Sequence, residues 1–329
     1  MIFETGLVDH SIKDRIRNCL ACESMQTSYA FQEYKFISKD KHVDHYLSEF
    51  PDTCNGIDNY ILVISPSKIE AWLTYRYLDF DSTLLGLPVV TVTSLVTHNE
   101  SGNYTSLIFD ALIDTLRKQK IEYATLSVST NDLRSKEIIN TAAKHNFRYL
   151  NTLLTFVPTR NTAIFLDNLT TPSNSIRIRE SIEDDYDSLY NIAKNSFRLD
   201  RYHQDPLLDH ERCDKLQARS FKNAFTDGYV DEVLTAEYEG KAIGFCTIKR
   251  KMIQNLGIRV GYPVIAAVSS DHRGMGVYQM LESERLRRLI CSCDVSEFGT
   301  YINNHPVHSF LTKAQMKLLR GMVQMALHL

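Results

Sequence analysis

Between Val264 and Ile290 an apolar run, two glycines and a helical spacing of leucines follow one another directly. Val264, Ile265, Ala266, Ala267 and Val268 read as a buried strand. Ser269-Ser270-Asp271-His272 leads into Arg273-Gly274-Met275-Gly276-Val277-Tyr278, and Leu281, Leu286, Leu289 and Ile290 then fall at helical intervals. A strand that turns through glycines into a helix start aims several backbone N–H groups at one point, with the positive end of the helix dipole behind them. Such a point binds a diphosphate. The glycines let the main chain approach the anion where a side chain would block it.

Two phosphate motifs are excluded at this junction. The dinucleotide fingerprint needs three spaced glycines in a parallel βαβ unit, and the P-loop needs Gly-Lys-Ser/Thr. Arg-x-x-Gly-x-Gly/Ala between strand and helix resembles the acetyl-CoA loop of the GNAT N-acetyltransferase superfamily. Arg273 and Gly276 match it; Tyr278 stands where the family has a small residue, but its backbone N–H is retained. The resemblance implies that Ala266, Ala267, Val268, Arg273, Gly274, Met275, Gly276, Val277 and Tyr278 hold acetyl-CoA as acyl donor, with no metal.

Downstream, Phe298–Ile302 reads as a short strand, Val307 to about Leu319 as a helix and Met322–Leu327 as a last strand. Pro306 suits a first helical turn and Asn304 the position before it. The family ends in the same order, which implies that Asn304 lies beside the pantetheine arm. A family Tyr seven residues later often protonates the departing thiolate; here that position is Leu311. Tyr301 and His308 are the candidates to replace it, His308 lying one helical turn before Leu311.

Ser196–Pro206 joins two helical stretches and is crowded with aromatic, His, Arg and Asp residues. With the Arg-Gly-x-Gly-Val-Tyr loop and Phe80-Asp81-Ser82-x-x-Leu85-Gly86, it resembles the branch containing the dTDP-fucosamine acetyltransferases. That resemblance implies a small-molecule amine acceptor, a nucleotide-linked amino sugar, bound through Arg201, Tyr202 and His203. The amine must be neutral to attack the thioester, so His203 and Asp205 are candidates to take its proton or orient it. A backbone N–H near Ala266–Val268 is expected to hold the developing oxyanion. Two other readings stay open: a GNAT enzyme acting on another small amine, amino acid or peptide amine, and a non-catalytic CoA-binding protein.

The elements that position these residues form an α+β fold with a mixed central sheet. Ile176–Arg179 alternates as a strand, and Ser181 with Asp184 suggests a capping-box start to a helix ending near Phe197. Leu208–Ala224 reads as a second helix. Val233–Tyr238 and Ala242–Ile248 flank Glu239-Gly240-Lys241 as a hairpin. Residues 176–329 thus resemble one complete catalytic GNAT domain. Residues 1–160 resemble a degenerate copy, with a helix over Thr105–Gln119, a strand over Tyr123–Val128, a helix opened by Asn131 and a strand over Leu150–Val157. Its loop, His98-Asn99-Glu100-Ser101-Gly102-Asn103, has no Arg and carries a Glu that repels phosphate. A tandem GNAT fold with CoA in the second copy alone is the expectation, and residues 161–175, rich in Asn, Thr, Pro and Ser, read as the linker.

With 329 residues, two domains are expected. A net charge of −3 without a Lys/Arg stripe argues against a nucleic-acid partner. Lys249-Arg250-Lys251 and Arg285/Arg287/Arg288 read as solvated faces or as a contact for the adenosine 3′-phosphate. No apolar run reaches the ~20 residues that span a bilayer, and Met1-Ile2-Phe3-Glu4 does not read as a signal peptide. Cys19-x-x-Cys22 and Cys291-x-Cys293 have no second pair at zinc-like spacing, and the seven cysteines are an odd number. Free thiols in a cytoplasmic protein without a metal are therefore expected. Edge strands leave room for a homodimer.

Overall fold

A computed structural model describes residues 2–21, 30–50, 59–66, 68–98, 103–169, 175–194 and 196–329. The chain divides into two compact units, Met1–Thr152 with Gly321–Leu329, and Leu153–Arg320. In chain order the first contains β1 (Ile2–Gly6), α1 (His10–Leu20), α2 (Lys39–Ser48), β2 (Tyr60–Ile64), β3 (Ile69–Tyr77), α3 (Asp79–Leu85), β4 (Val89–Thr97), α4 (Tyr104–Lys118), β5 (Tyr123–Ser129), α5 (Ser135–Lys144) and the start of β6 (Arg148–Val157). The second contains the rest of β6, then α6 (Arg160–Asp167), β7 (Ile176–Glu180), α7 (Tyr186–Lys194), α8 (His210–Phe225), β8 (Glu232–Tyr238), β9 (Lys241–Ile253) and β10 (Ile258–Val268). It continues with α9 (Val277–Ser292), β11 (Val295–Ser296), β12 (Phe298–Tyr301) and α10 (His305–Lys313). The last strand, β13 (Lys317–His328), begins in the second unit and ends in the first.

In the first unit β1 to β4 pair antiparallel in sequence order, and β4 runs parallel to β5. A parallel pair requires a crossover, and α4 supplies it. Its buried Ile108, Phe109, Leu112 and Leu116 share one helical face and pack in a core with Ile61, Leu73 and Leu126. The other side of β5 is taken by β13, from Met322↔Ser129 to His328↔Tyr123, which adds Met325 and Leu327 to that core.

In the second unit β7, β8, β9 and β10 are antiparallel neighbours. The β8–β9 hairpin turns through Glu239 at φ 50° and Gly240 at φ 76°, the two positive-φ positions that a tight two-residue turn demands. β10 runs parallel to β11 over Val260↔Val295 and Gly261↔Ser296, while β12 pairs antiparallel with Leu153–Phe156 of β6. α9 is the crossover, and Leu281, Leu286 and Leu289 are buried beneath it with Cys246 and Ile248 of β9. Gly261 permits this approach, because a Cβ there would stand 2.6 Å from Leu289 Cδ2.

The boundaries differ from the sequence expectation in three places. The last strand was assigned to the second half, but Gly321–Leu329 belongs to the first unit, where hydrogen bonding to β5 completes the sheet. The expected linker 161–175 contains α6; Thr159 caps it with a capping box, and the Thr159 and Thr162 hydroxyls both donate to the Gln315 carbonyl. The remaining linker positions 170–174 lie outside the described residues. The capping residue before α7 is Asp185 rather than Asp184: its carboxylate accepts the Ile182 N–H and is gripped by Arg179 at 2.6 and 2.9 Å. Among the described residues no helix is long and apolar enough to cross a membrane.

Ending the chain at Arg320 removes seven β5–β13 residue pairs and two core side chains from the first unit. Thermal unfolding followed by circular dichroism is expected to start at least ~10 °C lower in that truncation.

Candidate active site

The glycine loop takes the form its residues dictate. Gly274 and Gly276 have φ of 81° and 79°, left-handed values that a side chain resists. Gly276 is the N-cap of α9, no side chain caps that end, and its first turn carries no acidic residue. The N–H groups that begin a helix have no carbonyl partners within it, so this end suits an anion. Arg273 stands beside it, and Val277 and Met275 pack into the core below.

The same loop closes one end of a cleft of about 540 Å³ lying wholly within the second unit. Pro263–Val268 of β10 form one wall, and Phe298–Tyr301 of β12 with Asn304, Pro306, Val307 and Leu311 form the other. Arg273 and Tyr278 lie at the loop end, while Ser196–Asp200 and Gln217 line the remainder. The cleft therefore brings together Ala266, Ala267, Val268, Arg273, Tyr278, Tyr301 and Asn304 of the sequence candidates. Asn304 occupies the N-cap of α10, although its side chain makes no capping hydrogen bond.

Arg285, which the sequence offered as a solvated face or a contact for the adenosine 3′-phosphate, lines the cleft as half of a buried charged pair. Arg285 is 4% exposed and Glu282 is 0%. Arg285 Nε donates to Glu282 Oε2 at 3.1 Å, and Nη2 donates to Oε1. Its Nη1 donates to the carbonyls of Thr247 at 3.2 Å and Ile265 at 3.1 Å. Those carbonyls flank a β-bulge, where Val264 and Ile265 lie between the pairs Pro263↔Ile248 and Ala266↔Cys246. Thr247 Oγ1 also accepts the Ile265 N–H at 3.0 Å. Burial and neighbouring Glu282 push the Tyr278 phenol well above its ordinary range, so it stays neutral and is a poor proton donor. Of the other basic candidates, Arg287 donates to the Leu166 carbonyl, and Arg288 bridges Glu180, Glu232 and Glu284.

The proposed acceptor loop is divided by the structure. Ser196, Phe197, Arg198, Leu199 and Asp200 reach the cleft, whereas the candidates that follow turn inward. The His203 side chain is 1% exposed, with Nδ1 2.5 Å from Asp200 Oδ2 and Nε2 3.0 Å from Asp214 Oδ1. Burial opposes its charge, but the two carboxylates raise its pKa above the ordinary value, and only the imidazolium donates to both. The ring itself is not among the residues lining the cleft, and both of its nitrogens are engaged with carboxylates, one of which, Asp200, does line it. Asp205 is also buried, accepting the Leu207 N–H. Tyr202 is buried under the Arg201 guanidinium, 4.8 Å from its ring centre. His308 donates from Nε2 to the Tyr301 carbonyl at 3.0 Å and packs edge-on against Phe156. Of the acid candidates, Tyr301 alone lines the cleft.

Sequence patterning did not mark Gln217 or Glu282 as site residues, and it gave neither Asp200 nor Arg285 the partners they have in the structure. The i,i+3 spacing of Glu282 and Arg285 was visible, but their burial was not, because α9 is covered by strands distant in sequence.

The first unit has a corresponding parting of strands. Its β4 and β5 pair only from Val89↔Tyr123 to Thr91↔Thr125, and the space beyond is about 130 Å³. At the first turn of α4, Thr105 Oγ1 donates to Glu137 at 2.5 Å, and Arg134 pairs with the same carboxylate while donating to the His98 carbonyl. Burial opposes the Glu137 charge, but Arg134 and Thr105 hold its pKa below the usual carboxylate range. This helix start already has a carboxylate beside it. Positions 99–102 of its loop lie outside the described residues. Among the described residues, no group of His, Cys, Asp or Glu side chains could hold a metal ion.

No family model and no curated protein matches the sequence. Solved structures do match its fold. A GCN5-related N-acetyltransferase from Sphaerobacter thermophilus aligns over 99% of this chain and 95% of its own, with a TM-score of 0.62 at 13% identity. A tandem GNAT protein from the clavulanic acid biosynthesis pathway aligns over 99% and 98%, with a TM-score of 0.54 at 13% identity. A GNAT-family acetyltransferase from Colwellia psychrerythraea covers 99% of each chain, at 0.51 and 10%. The fold is that of the GNAT acetyltransferases.

Two outcomes follow from this geometry. Because the folded-state pKa of His203 is raised, its ion pairs stabilise fully below about pH 6.5, and that stabilisation is lost as pH rises through the folded pKa. The difference in melting temperature between wild type and His203→Gln is therefore expected to narrow as pH is raised from about 6 to 9. Gly276→Ala forces a side chain onto φ 79° and should cost about 1 kcal/mol in the same assay.

Proposed function

We propose that the protein is an N-acetyltransferase that moves an acetyl group from acetyl-CoA to a primary amine by direct attack on the thioester. The observation that carries this reading is the uncapped, glycine-flanked start of α9 opening onto the cleft of the second unit. A diphosphate fits there: Gly274 and Gly276 leave the main chain bare, Arg273 supplies a cation, and no carboxylate lies in the first turn. Pantetheine would run between β10 and β12 past Asn304. The first unit is a degenerate copy of the same fold, and Glu137 of α5, paired with Arg134, reaches Thr105 in the first turn of α4, where a bound anion would compete with it. The arrangement is thus tandem, with donor binding in the second copy.

In the reaction the ammonium first gives up one proton to solvent, a C–N bond then forms as the C–S bond breaks, a second proton leaves the nitrogen, and the CoA thiolate departs and is protonated. Backbone N–H groups along Ala266–Val268 hold the oxygen that gains charge. The Asp200 carboxylate, lining the cleft and anchored to His203, receives the incoming ammonium. Tyr301 is the group placed to return a proton to sulfur. Leu311 lines the cleft and contributes only apolar surface. Arg198 faces the same cleft beside Asp214, 3.1 Å away, and provides a cation for a phosphate-bearing acceptor such as a nucleotide-linked amino sugar. The setting is a cytoplasmic protein acting on a small molecule.

Calorimetry with acetyl-CoA and thiol release across a panel of amines, with and without phosphate groups, test the reading. Arg273→Ala should weaken acetyl-CoA binding on the order of tenfold, the scale of a lost charge-assisted hydrogen bond. Asp200→Asn should raise KM for the amine by about tenfold while acetyl-CoA binding holds. Binding without thiol release on any amine would favour a non-catalytic CoA-binding protein; no binding would sink both.

A further inference from the structure

We infer that Arg285, acting with Glu282 and Thr247, is a positioning residue for acyl transfer: it fixes the bulged course of β10 that forms one wall of the cleft. This rests on the function proposed for that cleft. Glu282 is 0% exposed, and Arg285, although it lines the cleft, is 4% exposed and spends its guanidinium hydrogen bonds within the protein. Their effect must pass through what they hold.

What they hold is specific. All three guanidinium nitrogens are used, two on Glu282 of the same helix and one on carbonyls from two different strands. At the bulge two residues, Val264 and Ile265, oppose the single Thr247. A bulge breaks the regular ladder and leaves backbone groups to be satisfied by other means. Arg285 Nη1 and Thr247 Oγ1 do so here, on both sides of Ile265. Immediately beyond come Ala266, Ala267 and Val268, on the cleft wall.

Stability alone is a weak reason for this arrangement. A buried ion pair is often matched or exceeded in stability by apolar residues of similar volume. The surrounding core, with Leu281, Leu286 and Leu289 on the same helix, would readily accept such residues. The forked guanidinium contributes direction: it ties one turn of α9, whose start forms the anion loop, to the place where β10 departs from β9. Donor anchorage and the cleft wall are thereby held in one frame.

Two variants test this in the full-length protein. Arg285→Lys keeps a cation opposite Glu282 but not the planar fork. Thr247→Val removes the hydroxyl at nearly constant shape. For each, three quantities are read: amide hydrogen exchange at residues 265–268 without ligand, the calorimetric Kd for acetyl-CoA, and kcat for thiol release. Exchange at those amides is expected to quicken and kcat to fall, each by about tenfold or more, while Kd stays within about threefold. Thr247→Ser should restore the wild-type values.

Unchanged exchange, or unchanged kcat in both variants, overturns the inference; so does loss of kcat wholly explained by lost acetyl-CoA binding. Should Arg285→Lys fail to fold, Thr247→Val decides by the same readouts. If wild type itself neither binds acetyl-CoA nor releases thiol, the proposed function fails. Exchange then still reports whether this network sets the strand.

Discussion

Two residue pairs, Val260↔Val295 and Gly261↔Ser296, join β10 to its parallel neighbour β11. From Pro263 onward β10 becomes a wall of the cleft, while β12, which forms the opposite wall, takes its hydrogen bonds from β6. A parallel connection places the start of its crossover helix beyond the end of the first strand. The parting of strands and the uncapped start of α9 therefore arise at one end of the sheet for one topological reason. In open α/β sheets ligands bind in such crevices beyond strand ends.

Charge is then used beneath and beside this opening in ways that favour geometry. Arg285 and Glu282 are removed from solvent and pair with each other, and the remaining Arg285 nitrogen donates to two main-chain carbonyls at the bulge. His203 sits between Asp200 and Asp214, joining the segment before α8 to α8 itself. In each case a buried cation is matched by carboxylate, so the cost of burial is contained, and the neighbouring cleft-facing residue is held in place. Phe197–Asp200 can line the cleft because His203, a few residues on, is anchored below it.

The two units show how a shared strand topology can lead to different chemistry. Both contain a parallel pair that separates after two or three residue pairs. One leaves a glycine-flanked helix start beside a cleft of about 540 Å³. The other has about 130 Å³ of space, and Glu137 of α5 accepts a hydrogen bond from Thr105 in the first turn of its crossover helix. That carboxylate, held ionised by Arg134, already occupies the N–H-rich end of the helix through Thr105.

The glycine loop before α9, the β8–β9 hairpin, α9 and the Pro306 start of α10 were legible in the sequence. Each depends on neighbouring residues: glycines where φ is positive, alternation in strands, leucines at helical intervals, proline in a first turn. The partner of β13, the helix within the supposed linker, the burial of Arg285 and the inward turn of His203 were not legible. They depend on contacts between residues tens or hundreds of positions apart, such as Thr247 with Arg285 and Met322 with Ser129. Local patterning thus determined where the chain turns through glycines into an uncapped helix start. Which side chains face the cleft, and which are buried to hold its walls, was decided only when distant strands and helices packed together, because burial belongs to the packed molecule and to no single segment.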